Sequence, residues 1–129
     1  MIVLDASAAI EWLLQTPLGK SADERISRAA SLHAPHLIDV EVAQVLRRYV
    51  AGGLVSSRRA EEALGDLQDL ALNRYPHHVL LRRVWALRHN LTAYDATYVA
   101  LAETLDAPLV TCDAKIASAS GHNARVEVL

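Results

Sequence analysis

The sequence predicts an α/β fold built on a mostly parallel sheet, and three observations carry the prediction. Two short apolar runs, Ile2-Val3-Leu4 and Leu109-Val110-Thr111-Cys112, suit strands buried on both faces. Each run ends on an aspartate, Asp5 or Asp113, which sets a carboxylate at the carboxyl edge of the sheet, where α/β folds place their ligands. Between the runs, apolar residues recur at the three- and four-residue spacing of helices, so strand and helix alternate along the chain.

Each element follows from its residues. After the first strand, Ser7 to Gln15 carries Ala8, Ala9, Trp12 and Leu13 at helical spacing and stops before Thr16-Pro17. A second, more polar helix is expected from Leu18 to Leu32, with Ile26, Ala29 and Ala30 facing inward, and His33-Ala34-Pro35 then adds an extended piece. From His36, the series Leu37, Val40, Val42, Val45, Leu46, Tyr49 is helical and ends at Gly52-Gly53, residues that readily take the left-handed cap. Ser56 or Ser57 caps a helix from Arg58 to Leu72. The short turn between these two helices makes them an antiparallel hairpin, apolar on more than one side and so a surface for self-association or a partner helix. Arg74 to His78, broken by Pro76, reads as a loop or an edge strand. Helices over Val79–His89 and Tyr94–Leu105 follow, joined by Leu91-Thr92-Ala93. The chain closes with the strand Leu109–Cys112, a short helix Asp113–Ala119, a turn at Ser120-Gly121-His122-Asn123 and a strand Arg125–Leu129.

A chain of 129 residues, 52% hydrophobic, is long enough for one cored domain and too short for two. No apolar stretch approaches the roughly 20 residues of a membrane span, and Met1 leads straight into a strand, so a soluble, unprocessed cytoplasmic protein is expected. The single cysteine, Cys112, cannot form an internal disulfide, and its strand position suggests a buried, inert thiol. The net charge of −2 decides nothing about a nucleic-acid partner. With four acids neutralised by metal, eleven acids remain against thirteen Lys and Arg.

Four acids, Asp5, Glu41, Asp95 and Asp113, stand where elements begin. Singly, each has a structural explanation: Asp5 and Asp113 suit helix N-caps, Thr92 to Asp95 resembles a capping box, and Glu41 suits a solvated helix flank. Together, at one sheet edge, they form the hard oxygen set that holds Mg²⁺ or Mn²⁺. Such a set points to metal-assisted phosphodiester hydrolysis, in which no protein nucleophile is needed. Arginine pairs at Arg47-Arg48, Arg58-Arg59 and Arg82-Arg83, with Arg88 nearby, are either solvated helix faces or phosphate-holding groups.

The segments Ile-Val-Leu-Asp5-Ala-Ser7, Pro35-His-Leu-Ile-Asp-Val-Glu41, Leu-Thr-Ala-Tyr94-Asp95-Ala and Leu-Val-Thr111-Cys-Asp113 resemble, in order and spacing, the PIN-domain ribonucleases, and within them the VapC-type toxins. The resemblance covers essentially the whole chain. It implies a single PIN-like domain over residues 1–129, in three α/β/α layers around the sheet. It implies that Asp5, Glu41, Asp95 and Asp113 form a Mg²⁺ site, with Mn²⁺ able to substitute, and that Ser7 and Thr111 support it by hydrogen bonding. RNA cleavage leaving 5′-phosphate and 3′-hydroxyl ends, a VapB-type antitoxin and a homodimer follow from the same resemblance. Arg82, Arg83 and Arg88 are the residues expected to hold flanking phosphates.

Other acids and bases fit less well. Asp39 lies roughly 200° around a helix from Glu41 and should face solvent, and Glu11 and Glu103 have no assigned role. His77-His78 lacks the spacing of a helical metal pair. A receiver domain would have an acidic pair where Asp5-Ala6 stands, and a haloacid-dehalogenase phosphatase would have an aspartate at Ser7. The remaining alternative is a non-catalytic module that uses the fold to dock a protein.

Overall fold

The computed structural model describes residues 1–129. Its sheet contains β1 (Ile2–Leu4), β2 (Leu32–Pro35), β3 (Leu72–Tyr75), β4 (Leu109–Thr111) and β5 (Val126–Val128), in the order β3-β2-β1-β4-β5. Every neighbouring pair is parallel, with Ile2 opposite Leu32 and Val3 opposite Leu109. Parallel strands need crossovers, and helices supply them. These are α1 (Ala6–Leu14), α2 (Pro17–Ser27), α3 (Leu37–Ala51), α4 (Ser57–Asp69), α5 (Leu81–Ala86), α6 (Ala93–Leu105) and α7 (Ala114–Ser118). A 3-10 turn over His78–Leu80 precedes α5.

The helices form the outer layers. In one, α1 packs beside β4 with α2, α3 and α4 gathered around it; in the other, α6 lies across β1, β2 and β4 with α5 against it. The central strands are buried on both faces, which explains their unbroken apolar runs. Helix α6 is buried without interruption from Ala96 to Ala102, and its alanines let it sit close on the sheet. Helix α2 crosses α1 so closely at Gly19 that a Cβ there would lie 2.3 Å from the Glu11 carbonyl oxygen. Only glycine fits this crossing, and Thr16 caps the same helix by accepting from the Gly19 N–H.

Several element ends differ from expectation. The second helix stops at Ser27 rather than Leu32, because Leu32 is claimed by the sheet opposite Ile2 and Leu72. The helix after Ser56 stops at Asp69, its C-cap Leu70 turns extended, and Leu72 opens edge strand β3. The helix expected over Val79–His89 is reduced to the 3-10 turn and α5, and tight turns carry Leu87 to Asn90. In each case a long-range strand pairing or a local turn overrides helix propensity. Ser56, not Ser57, is the cap, and Gly53 holds the left-handed conformation after α3 at φ 74°. Cys112 lies just beyond β4, half-buried rather than buried.

The strand order reverses direction at β1, with β2 on one side and β4 on the other. Such a switch point opens a crevice at the carboxyl ends of the strands. Asp5 is the first residue past β1, and Asp113 the second past β4.

Candidate active site

At that crevice lies a depression of about 470 Å³ lined by Asp5, Glu41, Asp95 and Asp113, together with Ser7, Gln44, Arg48 and Tyr94. Each acid comes from a different part of the fold: the end of β1, the second turn of α3, the first turn of α6 and the loop after β4. A larger depression, about 640 Å³, lies between the α1–α2 corner and the end of α4, and holds none of the four.

The cap explanations separate under the geometry. Asp5 makes no side-chain cap bond to α1 although its backbone sits at the N-cap. Asp95 donates its N–H to Thr92 Oγ1 at 3.1 Å, so the threonine caps α6 and the Asp95 carboxylate is not the cap. Asp113 does cap, accepting from the Lys115 N–H at 2.9 Å. Glu41 lies inside α3 and caps nothing.

Asp5 is held by two hydroxyls. Ser7 Oγ donates to Asp5 Oδ2 at 2.6 Å and Thr111 Oγ1 donates to the same oxygen at 2.7 Å. Each hydroxyl has one hydrogen, so their mutual 3.1 Å approach is a contact between two committed donors. Both are held in turn, Ser7 Oγ accepting from the Cys112 N–H at 2.9 Å and Thr111 Oγ1 from the Asp113 N–H at 3.0 Å. These bonds tie the ends of β1 and β4 into one unit and fix the direction of the Asp5 carboxylate.

Charge here is uncompensated. Burial pushes the Asp5 carboxyl above its ordinary value, opposed by the two hydroxyls. Burial also raises Glu41, whose shift is deepened by Asp5 and Asp95, and raises Asp95, deepened by Asp5 and Asp113 and opposed by Thr92 and Lys115. Burial raises the half-buried Cys112 thiol as well, with Glu11 and Asp5 adding to the shift, which keeps it protonated and unreactive. Two buried side-chain atoms in the chain lack a hydrogen bond of normal geometry, Glu41 Oε1 and Tyr98 Oη. They are neighbours: the Tyr98 hydroxyl lowers the Glu41 carboxyl, and burial, with Glu41 adding to it, raises the fully buried phenol, yet no hydrogen bond of normal geometry closes between them.

No three His, Cys, Asp or Glu side chains close on one point as a complete protein cage for a metal. The donor set still fits a hard divalent cation, because Mg²⁺ takes only one or two carboxylates and completes its shell with water and phosphate. The orphaned Glu41 oxygen and the mutual repulsion of the acids are what a cation would relieve.

The expected arginines lie elsewhere. Arg83 clasps Glu103 through two bonds of 2.7 and 2.9 Å and donates to the Gly121 carbonyl, so it is a structural tie and not a free phosphate-binding group. Glu103 lies eight residues along α6 from Asp95, roughly 12 Å of helix. Arg88 stacks its guanidinium 4.7 Å from the Trp85 ring, and Arg82 is exposed; neither lines the depression. Asp39 does not simply face solvent, since Arg74 holds it at 2.8 and 2.9 Å. Glu11 accepts from the Thr16 hydroxyl. His77 meets His36 edge-on and neither lines the depression. Sequence reasoning gave no place in the site to Tyr98, to Tyr94 although it stands in a quoted motif, or to Arg48 beyond its membership of an arginine pair. The signal for them is helical periodicity, Arg48 seven residues after Glu41 and Tyr98 three after Asp95, on the faces those acids occupy.

Comparison with known proteins gives the same architecture and a family. The chain is 41% identical to ribonuclease VapC12 of Mycobacterium tuberculosis, over 100% of this chain and 99% of the relative. VapC20 of M. tuberculosis, described as a sarcin-ricin loop cleaving toxin, superposes with a TM-score of 0.71 at 16% identity, covering 95% of this chain and 97% of that one. VapBC2 of Rickettsia felis, solved bound to a DNA fragment from its promoter, gives a TM-score of 0.70 at 13% identity, covering 99% and 98%. The PIN domain profile matches residues 2–121, and with a full-length VapC relative beside it, the chain belongs to the PIN-domain family.

Proposed function

We propose that this protein is a divalent-metal-dependent endoribonuclease, the toxin of a toxin–antitoxin pair, working in the cytoplasm. One observation carries the reading furthest: carboxylates from four separate elements line one depression at the switch point of the sheet, where burial raises Asp5, Glu41 and Asp95 and neighbouring acids add to the shift at the latter two. Full-length likeness to a VapC ribonuclease gives the substrate class. Asp5, Glu41, Asp95 and Asp113 would hold the cation, Mg²⁺ with Mn²⁺ as a substitute. When bound, such an ion lowers the pKa of water for attack on the phosphodiester and offsets charge on the non-bridging oxygens. The chain's own residues do the rest. Ser7 and Thr111 keep Asp5 aimed at the depression, and the β4 loop, tied to both, carries Asp113. Half-burial at Glu41 and Asp95 thins the water around the reacting phosphate, which strengthens every charge interaction there.

The proposed partners are RNA, a VapB-type antitoxin and a second copy of the chain. No helix is long and apolar enough to cross a membrane.

The test is cleavage of single-stranded RNA with Mg²⁺ titrated in, repeated with Mn²⁺ and with chelator. Cleavage should need the metal and should fall by about 10²-fold or more in Asp5→Asn, which removes a charge from the reacting centre while keeping its size. A folded Asp5→Asn protein that cleaves like wild type would remove Asp5 from the reacting centre, and a folded wild type that cleaves nothing with either metal would leave the docking-module reading as the better one. Light scattering and a pull-down from the native host address the second copy and the antitoxin.

A further inference from the structure

The acid-lined depression holds one arginine, Arg48, and one exposed aromatic ring, Tyr94. Elsewhere, arginines near carboxylates are taken: Arg25 by Glu127, Arg74 by Asp39, Arg83 by Glu103 and Arg125 by Asp106. Arg48 shares its depression with four carboxylates and makes no salt bridge with any. Helical spacing explains this. Glu41, Gln44, Val45 and Arg48 stand at i, i+3, i+4 and i+7 along α3, so Arg48 is on the Glu41 face but roughly 10 Å farther along the axis. That offset keeps it from neutralising the acids and leaves its planar donors for an anion next to them.

Tyr94 is the complement from the other flanking helix. It is 62% exposed although it adjoins the half-buried Asp95, and its hydroxyl makes no hydrogen bond within the chain. Its backbone is held in the first turn of α6, whose cap Thr92 accepts from the Asp95 N–H. A rigidly anchored, unpacked ring beside a phosphate-hydrolysing centre is suited to stacking on a nucleobase, which every base offers whatever its sequence.

We propose that Arg48 and Tyr94 together grip the RNA strand across the four acids, Arg48 holding a phosphate that flanks the scissile bond and Tyr94 stacking on an unpaired base. The assignment rests on the ribonuclease reading and narrows it to single-stranded segments, because a duplex hides its base faces and Tyr94 would have nothing to stack on.

The two contacts leave different signatures. Binding of a fluorescent single-stranded RNA dodecamer is followed by anisotropy, with Mg²⁺ present and Asp5→Asn as the non-cleaving parent, over a range of salt concentrations. Tyr94→Ala should weaken binding by about 5- to 100-fold with an unchanged salt slope, and Tyr94→Phe should bind like the parent. Arg48→Gln should lower the slope of log K against log salt by about 0.7, the value of one phosphate contact on a single strand. Duplex RNA of the same length should not sense Tyr94→Ala. Thermal melts matching the parent show that neither exposed substitution acts through the fold. Parent-like binding by Tyr94→Ala overturns the stacking assignment, and an unchanged salt slope in Arg48→Gln overturns the phosphate assignment. If wild type still cleaves RNA in either case, the grip alone fails. If wild type cleaves nothing and the parent binds no RNA, the ribonuclease reading fails with it.

Discussion

Carboxylates meet opposite fates in two regions of this protein. At the carboxyl edge of the sheet, burial raises Asp5, Glu41 and Asp95, neighbouring acids deepen the shift at the latter two, and no salt bridge engages any of them. In the second region, Glu103 and Glu127 are held below their ordinary values by paired guanidinium bonds from Arg83 and Arg25. A carboxylate that is raised by folding weakens the fold when ionised, and one that is lowered strengthens it. The chain has arginine available for both regions, yet it leaves the first uncompensated. Repulsion of this kind costs stability and makes sense where a cation and a phosphate strand must later fit, which is the usual tension between a site and its scaffold.

The largest effect should come from removing a charge on the repulsive side. In Asp95→Asn, cleavage should fall by about 10²-fold or more, while the melting temperature of the metal-free protein holds or rises, because Asp5 and Asp113 lose a like-charged neighbour. Mg²⁺ should restore the balance in wild type. At tenfold over its Kd it should stabilise the native state by about 1.4 kcal/mol, a shift of several degrees in the melt. The same addition to Asp95→Asn should give a smaller shift. Equal shifts in the two proteins would remove Asp95 from the metal site and leave the raised carboxyls without the role assigned to them.

Acid separates the regions by sign. Asp5, Glu41 and Asp95 have folded values above their reference values of 3.8, 4.5 and 3.8, so their destabilisation is present at neutral pH and fades as pH falls through the raised values. Glu103 and Glu127 have folded values below 4.5, so their stabilisation is complete above that pH and is lost as pH falls through the lowered values. Metal-free protein should therefore hold or gain stability between pH 7 and about 5, then lose it below the ordinary carboxylate range. Urea denaturation across that pH series reads the turning point, and saturating Mg²⁺ should abolish the early gain. A monotonic decline from pH 7 in metal-free protein would contradict the repulsion at the sheet edge.

Breaking the compensated side should do the reverse of Asp95→Asn. Arg83→Ala strips Glu103 of two charge-assisted bonds on a carboxylate that is 16% exposed and should cost about 1–2 kcal/mol, after allowance for the partly solvated arginine. Cleavage by the folded fraction should be unchanged, since Arg83 is engaged at Glu103, about two helical turns along α6 from Asp95, and does not line the depression. A fall in turnover with normal stability would return Arg83 to the substrate-binding role that its sequence position first suggested.

The sequence carried one side of this contrast better than the other. Asp5 and Asp113 were legible because each ends an apolar run, and strand ends translate directly into a sheet edge. Glu41 and Asp95 stood out only as acids near helix starts, and the motif resemblance strengthened them, since nothing local separates a site residue from a flank or cap residue until the helices are docked. The pairings of Arg83 with Glu103 and Arg74 with Asp39 span 20 and 35 residues and leave no periodic trace. The helix ends misread at Leu32 and Leu72 have the same origin, because both residues are claimed by long-range strand pairing while their neighbours favour helix.

The smallest expected effect tests the boundary between the regions, where a neutral group is also left unsatisfied. Tyr98 is fully buried, and its hydroxyl neighbours Glu41 without a hydrogen bond of normal geometry. If that hydroxyl only filled space, Tyr98→Phe would remove an unsatisfied polar atom and change nothing else. If it steadies Glu41 once a cation has drawn the carboxylate into place, the same substitution should have two opposite consequences. Metal-free protein should be unchanged or more stable by up to about 1 kcal/mol, because a buried hydroxyl without a partner is costly. Mn²⁺ affinity, read by calorimetry, should fall about two- to tenfold, the scale of a lost hydrogen bond to a ligand. Opposed changes in stability and affinity would make Tyr98 a positioning residue for Glu41. A loss of stability with unchanged affinity would place the hydroxyl among the groups that hold the fold together.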